Sequence, residues 1–312
     1  IMSFETPILF LIFNRPDTTI QVFEAIKKQK PKYLYIAADG PRYYKEGEAE
    51  MCRQVRDLVI NGIDWDCEVK TLFRDENLGC GKAVSSAITW FFENVEEGII
   101  LEDDCLPNDY FFSFCEELLK YYRNDLRIAV ISGYNPLGAK ITNDTYFFSL
   151  HTSVWGWASW KNRWNNYDFN IKLWDDDSVK KYMKTILPPI GFETLSGGLD
   201  SVQNGQIDTW DYQLAFSTIA EHRLAIKPYA NLITNIGITG SHAAEKDKNH
   251  FVPYGIFPNY LKHPKGIIPD IAEDTLFYKW NYPDYEQDKI IAKIVNSLKF
   301  NQIKRLLISK LK

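Results

Sequence analysis

Blocks of apolar and polar residues alternate along the first 135 residues of the chain. Short apolar runs are separated by longer segments in which apolar residues recur every three or four positions, as they do on one face of a helix. Strands that alternate with helices in this way are typical of an α/β fold with a mostly parallel central sheet flanked by helices. The pattern predicts strands at residues 7–13, 33–38, 68–73, 98–101 and 128–131.

The alternation fades after residue 145, where the chain becomes rich in tryptophan and asparagine. Beyond that region, the pattern predicts a short helix at residues 208–220 and a late strand at residues 231–238. Because a single α/β domain can extend over this length, we expect one domain at residues 1–245 and a C-terminal extension at residues 246–312.

Composition and charge narrow the class of protein. The chain has 312 residues, of which 45% are hydrophobic and 25% charged, as in an ordinary globular protein. Its net charge of −5 argues against nucleic acid as a partner. The five cysteines lack C-x-x-C spacing, which predicts reduced thiols. No secretory leader or apolar run of membrane-spanning length is present, so we expect a cytoplasmic protein.

The last part of the extension has a distinct character. Residues 289–312 contain seven Lys or Arg and no Asp or Glu, and their apolar residues recur at helical intervals. This pattern predicts a basic amphipathic helix. Two interpretations stay open, namely a helix that packs on the domain and a helix in peripheral contact with the anionic inner face of a membrane.

Charged and polar residues follow the predicted strands of the first half. Ligands of open α/β sheets bind beyond the carboxyl ends of the strands. A group of carboxylates beside arginines suits a divalent ion shared with phosphate oxygens, because Mn²⁺ and Mg²⁺ prefer oxygen ligands. The alternative is a helix N-cap, since a helix is expected from about residue 108. The residues at the strand ends are Asn14, Arg15, Asp39, Arg42, Arg74 and the triplet Glu102-Asp103-Asp104.

The sequence lacks two other nucleotide-binding motifs. Residues 79–82 resemble part of a P-loop, but that motif needs glycine where Glu76 stands and Ser or Thr where Ala83 stands. No G-x-G-x-x-G motif follows the first strand, which argues against a dinucleotide-dependent oxidoreductase.

Several segments together resemble the GT-A class of glycosyltransferases over roughly residues 6–245. Asn77-x-Gly79-x-x-x-Ala83 is similar to a helix start of the family 2 enzymes, although Ser85 stands where those enzymes commonly have asparagine. The run from Gly98 to Asp104 resembles the E-D-D segment of N-acetylglucosaminyltransferase I type enzymes. Further matching segments are Pro107-x-x-Tyr110-Phe111-Phe112 and the run at residues 130–135.

The resemblance implies a GT-A fold, with a nucleotide-sugar-binding half at residues 1–135 and an acceptor half at residues 136–245. It implies that Asp104 binds Mn²⁺ or Mg²⁺ directly, and that Glu102 and Asp103 face the ribose and the donor sugar. Asp39 is expected at the nucleotide base. The other residues expected to bind the donor are Asn14, Arg15, Arg42, Arg74, Asn77, Gly79 and Lys82.

The resemblance also implies a general base after the metal motif, in a Trp-Asp segment that is matched by Trp210-Asp211. Asp211 is the first candidate and Asp208 the second, while a helix-start cap is the alternative for both. Many related transferases use a late histidine as a metal ligand, which points to His242. The tryptophans at positions 155–160 are expected either in the core or as an aromatic platform for a sugar ring.

The function implied is metal-dependent, inverting transfer of a sugar from a nucleotide-sugar, most directly a UDP-sugar, to a glycan, lipid-linked or protein-linked acceptor. Two alternatives stay open. A sugar-phosphate nucleotidyltransferase would share the sheet, but Asn14-Arg15-Pro16 lacks the glycines of that class. A non-catalytic carbohydrate-binding protein would need rings but not both Asp104 and Asp211.

Overall fold

Strands and helices alternate along the computed structural model, which describes residues 4–137, 144–237, 254–255 and 260–285. The strands are β1 (Ile8–Ile12), β2 (Tyr33–Ala38), β3 (Glu68–Phe73), β4 (Glu97–Glu102), β5 (Cys105–Pro107), β6 (Ile128–Ser132), β7 (Tyr146–Ser149), β8 (Trp157–Trp160), β9 (Leu224–Pro228) and β10 (Ile233–Asn235). The α-helices are α1 (Pro16–Gln29), α2 (Glu48–Gly62), α3 (Gly79–Asn94), α4 (Asp109–Tyr122), α5 (Lys161–Trp164), α6 (Asp177–Ile186), α7 (Pro189–Gln203), α8 (Asp211–Ala220) and α9 (Ile271–Asn281). A 3₁₀ turn at Lys172–Asp175 precedes α6.

The described strands form one eight-stranded mixed sheet in the order β3-β2-β1-β4-β8-β6-β9-β7 and a small antiparallel pair, β5 with β10. Strands β3, β2, β1 and β4 run parallel, as do β6 and β9, whereas β8 and β7 are antiparallel to their neighbours. The predicted α/β class, with a mostly parallel sheet flanked by helices, is therefore confirmed.

The central strands are apolar throughout because both of their faces are covered. Phe10 and Leu101 belong to one buried cluster with residues of α1, α2 and α4, while Leu9 and Ile100 belong to a second with residues of α3. All five residues of β1 are buried. Strands buried on both faces show continuous rather than alternating hydrophobicity, which is why these central strands were predictable.

The tryptophan-rich segment lies in the core. Trp157 and Trp160 belong to β8, which pairs with β4 and β6, and their exposed fractions are 0% and 2%. Trp155 is partly buried beside Tyr134, with ring centroids 4.5 Å apart. Core packing is therefore the correct interpretation for Trp157 and Trp160, because a central strand exposes neither face to a ligand.

The second half contains elements that the apolar pattern did not predict, namely β7, β8, β9, α6 and α7. The C-terminal extension adds α9, whose Phe277 lies in the main core and whose chain contacts α7 and β7. The predicted boundary at residue 245 stays a prediction, although residues 260–285 pack on the same body.

The basic segment at residues 289–312 lies outside the described residues, so its helix and its membrane contact stay predictions. Among the helices that the structure describes, none combines the length and the apolar character needed to cross a bilayer. All five cysteines are free thiols, as predicted.

Candidate functional site

The acidic triplet lies at the switch point of the sheet. From β1 the chain adds β2 and then β3 on one side, and it adds β4 on the other side of β1. Ligands of open α/β sheets bind in the crevice at such a reversal of strand order. Arg15 follows β1, and Glu102, Asp103 and Asp104 end or follow β4. Two of the predicted groups therefore face each other across this crevice.

Arg15 joins two of the three acids. Its Nη1 donates to Oδ2 of Asp104 at 2.9 Å, and its Nη2 donates to Oδ1 of Asp103. The side chains of Asp103 and Asp104 are 4% and 15% exposed. Although burial alone would lower it, the two carboxylates raise the pKa of the Arg15 guanidinium. The arginine is thus a fixed positive charge within the cluster.

The triplet does not cap a helix. Helix α4 begins at Asp109 and its N-cap is Asn108, whose side-chain oxygen accepts the backbone N–H groups of Tyr110 and Phe111, each at 3.1 Å. An N-cap needs one such acceptor at the helix start. The short strand β5 separates the triplet from that position, so the helix-cap alternative is wrong.

Negative charge exceeds positive charge in this cluster, since three carboxylates face one guanidinium. Oδ2 of Asp103 is buried and has no hydrogen-bond partner in the described residues. Burial, together with Asp104 and Asp103, raises the pKa of Glu102, and burial likewise raises the pKa of Asp103 against the opposing effect of Arg15. A group of this kind needs a proton or a further cation to become stable.

A divalent cation fits the chemistry of this donor set. Carboxylate oxygens are the ligands that Mg²⁺ and Mn²⁺ prefer, and both ions keep positions for phosphate oxygens. Asp104 would hold the ion. No preformed set of three or more His, Cys, Asp or Glu ligands occurs in the described part of the chain. The remaining ligands would therefore come from the substrate or from residues outside the described part.

The late strand β10 brings a second segment to the triplet. It pairs with β5, and the backbone N–H of Ile236 donates to the Asp104 carbonyl at 2.8 Å. A Cβ atom at Gly237 would overlap the Asp104 carboxylate and approach Nη1 of Arg15 to 2.9 Å. Gly237 therefore forms part of the wall of the site, a role that sequence analysis missed. His242 follows it but lies outside the described residues.

Asp39 organises the loop after β3. Its carboxylate accepts the backbone N–H groups of Gly40 and Leu78 at 3.0 Å and the side-chain amide of Asn77 at 2.9 Å. Burial raises the pKa of Asp39 in spite of these donors. Asp39 and Asn77 thus support each other on the rim, next to the crevice.

A buried glutamate, not predicted from the sequence, connects two other rim residues. Glu48 begins α2 and has an exposed fraction of 0%. It accepts Nδ2 of Asn14 at 2.8 Å, the backbone N–H of Arg42 at 2.7 Å and Nε of Arg42 at 2.9 Å. Arg42 also lies over the ring of Phe13. Glu48 therefore fixes the turn after β2 against the end of β1.

We expect Glu48→Gln to destabilise the fold in a pH-dependent way. Hydrogen bonds from Arg42 lower the pKa of Glu48 from 4.5 to about 2. A lowered folded-state pKa gives stability that is complete above the unfolded pKa and is lost as the pH falls toward the folded one. Urea denaturation at pH 7 should show a decrease of about 3 kcal/mol in the free energy of unfolding, and the difference from wild type should shrink between pH 4.5 and 2.

The control for this prediction is Glu50→Gln in the same helical turn, where Glu50 is exposed and pairs with exposed Arg53. Exposed pairs contribute little to stability. A loss at Glu48 no larger than the loss at Glu50, or one that does not change with pH, would show that the buried ion pair is not the cause.

Three of the predicted donor-binding residues lie around the N-terminus of α3. The Nη2 of Arg74 donates to Ser86 at 2.8 Å, on the outer side of α3. Lys82 is exposed in the first turn of α3. Gly79 begins that helix with φ of 80° and faces Asp208.

Both base candidates lie in or beside the first turn of α8, near the triplet. Asp211 accepts a hydrogen bond from the Thr209 hydroxyl, and Asp208 accepts one from the Gly81 backbone N–H. Burial, followed by the charges of several carboxylates, raises the pKa of the Cys80 thiol to about 12. Those carboxylates belong to Glu102, Asp208, Asp211 and Asp39.

Comparisons with known proteins give structural similarity alone. No protein-family model matches the sequence, and no curated protein matches it. HddC from Yersinia pseudotuberculosis is similar over 55% of this chain and 84% of its own, with 10% identity and a TM-score of 0.32. The glycosyltransferase GlyE from Streptococcus pneumoniae TIGR4 is similar over 72% of this chain, with 9% identity and a TM-score of 0.35.

The chain spans 45% of the length of GlyE. A UDP-glucose pyrophosphorylase, in its apo form, is similar over 71% of this chain and 90% of its own, with 9% identity and a TM-score of 0.32. The glycosyltransferase and the pyrophosphorylase are named for different activities, and similarity at this level assigns neither activity to this chain.

Proposed function

We propose that this protein is a metal-dependent, inverting GT-A glycosyltransferase that moves a sugar from a nucleotide-sugar to a glycan, lipid-linked or protein-linked acceptor. The observation that carries the proposal is the acidic triplet at the β1–β4 switch point, bonded to Arg15, with Asp211 close to it. The donor we propose is a UDP-sugar, in keeping with the resemblance of the E-D-D segment.

The donor diphosphate is proposed to lie over the ion pair of Arg15 and Asp104, at the switch point of the sheet. The excess negative charge of the triplet and the unpartnered Oδ2 of Asp103 favour a divalent cation there. When bound, Mn²⁺ or Mg²⁺ would offset the charge that develops on the leaving diphosphate. Arg15 contributes a second positive charge at the same end of the donor. Glu102 is proposed to accept hydrogen bonds from hydroxyl groups of the ribose or the sugar.

Asp211 is proposed to act as the general base. The hydroxyl of the acceptor gives its proton to the Asp211 carboxylate while its oxygen forms a bond to the anomeric carbon of the sugar. The bond from that carbon to the diphosphate breaks, and the electron pair leaves with the diphosphate. The Thr209 hydroxyl orients the Asp211 carboxylate, which lies within electrostatic range of Glu102.

The loop after β1 favours this activity over nucleotidyl transfer. Strand β1 ends at Ile12 and α1 begins at Pro16, so the connection consists of Phe13, Asn14 and Arg15. A glycine-rich loop that surrounds a nucleoside triphosphate needs more residues and glycine conformations than this connection provides.

The test is a donor screen on the full chain, with and without Mn²⁺. Purified protein would be incubated with UDP-, GDP-, CMP- and dTDP-sugars, and release of the nucleotide would be measured with and without acceptor glycans. We expect release from a UDP-sugar that depends on Mn²⁺ and a product of inverted anomeric configuration by NMR. Pyrophosphate release from a nucleoside triphosphate and a sugar 1-phosphate, without release from any nucleotide-sugar, would instead identify a nucleotidyltransferase.

A further inference from the structure

The loop that carries Asp211 makes a direct contact with the first turn of α3. Oδ1 of Asp208 accepts the backbone N–H of Gly81 at 3.0 Å, across 127 positions of sequence. The first N–H groups of a helix have no partner within the helix, and a carboxylate is a favourable acceptor for them. Asp208 therefore caps α3 from a distant part of the chain.

Two glycines of α3 leave the space that this contact needs. A Cβ atom at Gly81 would lie 2.6 Å from Oδ1 of Asp208 and 2.7 Å from the Thr209 carbonyl oxygen, and one at Gly79 would overlap Oδ2 of Asp208. Gly79 also has a φ of 80°, which side chains rarely adopt. The helix start is thus shaped to receive the loop at residues 208–211.

The remaining residues of the loop are also fixed. The ring of Trp210 stacks on that of Trp157 with centroids 5.7 Å apart, and its carbonyl accepts the Tyr167 hydroxyl at 3.1 Å. The Thr209 carbonyl accepts Nε2 of Gln213 at 2.7 Å. Asp211 therefore lies at the end of a loop that is hydrogen-bonded to α3 and α8 and stacked on Trp157 of the sheet.

We propose that Asp208 is a positioning residue, and that its contact with Gly81 sets the place of the Asp211 carboxylate relative to the triplet. This inference rests on the proposed function. In this arrangement the Asp208 side chain already occupies the N-terminus of α3. A phosphate of the donor would be repelled by the carboxylate already bound there, so the donor diphosphate lies on the Arg15 side of the crevice.

The test compares Asp208→Asn with Asp208→Ala, because asparagine keeps an acceptor oxygen for Gly81 but cannot act as a base. Asp208→Ala should lower kcat about 100-fold, as expected for a displaced catalytic group, with the donor KM changed less than about threefold. Hydrogen exchange of the first turn of α3 should accelerate about five- to tenfold, as for loss of a helix cap. Asp208→Asn should stay within about threefold of wild type in both measurements.

Gly81→Ala changes the other side of the same contact and should behave like Asp208→Ala. It replaces Asp208→Ala in the test if that variant does not fold. Gly197→Ala in α7 is the matched control, since a Cβ atom there meets nothing within 4 Å. If Asp208→Asn is as inactive as Asp208→Ala while hydrogen exchange in α3 stays normal, the proposal is overturned and Asp208 is the base.

Hydrogen exchange separates this inference from the proposed function. If the wild type transfers sugar but Asp208→Ala leaves exchange in α3 unchanged, the contact with Gly81 does not position the loop and the inference fails while the function stands. If exchange changes as expected but the wild type releases no nucleotide from any donor, the proposed function fails and the contact remains a structural cap.

Discussion

Asp104→Asn should lower metal-dependent release of nucleotide from the donor by roughly 10²- to 10³-fold, the usual cost of removing one group that stabilises developing charge. Asparagine keeps the size of the side chain and leaves an oxygen for Arg15, but it removes the charge that binds a divalent ion. The measurement is nucleotide release across an Mn²⁺ titration. The loss should be accompanied by a weaker dependence of the rate on Mn²⁺.

Asp109→Asn is the control for this change, because Asp109 is an exposed carboxylate in the first turn of α4, close to the triplet in sequence. It should change the rate by less than about threefold, as for a surface substitution away from the site. Equal rates for wild type and Asp104→Asn, at every Mn²⁺ concentration, would remove Asp104 from the proposed metal site.

Asp211→Asn should lower kcat by roughly 10³-fold, within the range contributed by general acid–base catalysis. Donor binding should be retained, since the role proposed for Asp211 concerns the acceptor and not the diphosphate. Single-turnover transfer and equilibrium binding of the donor would measure the two effects separately. Asp208→Asn is the natural comparison, because it removes a neighbouring charge and retains the cap on α3. If Asp211→Asn transfers normally and Asp208→Asn does not, the two roles are reversed.

Strands β1, β2, β4 and β6 could be predicted because they are buried on both faces and therefore appear as continuous apolar runs. The rim residues followed directly, since each stands where such a run ends. Arg15 and the triplet were named in this way, and the structure brings them into contact. The strand order that places β1 next to β4 was not visible in the sequence.

Long-range partners account for what the sequence did not predict. Glu48 stands in an acidic, polar stretch that predicts an exposed helix start, yet Arg42 and Asn14 bury it completely. The glycine at position 81 has a partner 127 residues away. Neither relation has a characteristic spacing, because both depend on how separate elements pack.

Most strands described in the second half were not predicted, for a different reason. Strands β7, β8 and β9 contain four or five residues each, too few for a periodicity to emerge. Trp157 and Trp160 left core and ligand platform equally open, because the residue type suits both roles. The pairing of β8 between β4 and β6 decides for the core.

The most direct test of the central claim is calorimetric titration of the wild-type chain with UDP, once with Mn²⁺ and once with EDTA. If the triplet holds a divalent ion shared with the diphosphate, UDP should bind at least about tenfold more tightly with Mn²⁺, and Asp104→Asn should abolish the difference. UDP that binds equally well in Mn²⁺ and in EDTA, or a metal effect that survives Asp104→Asn, would contradict the metal role assigned to the triplet.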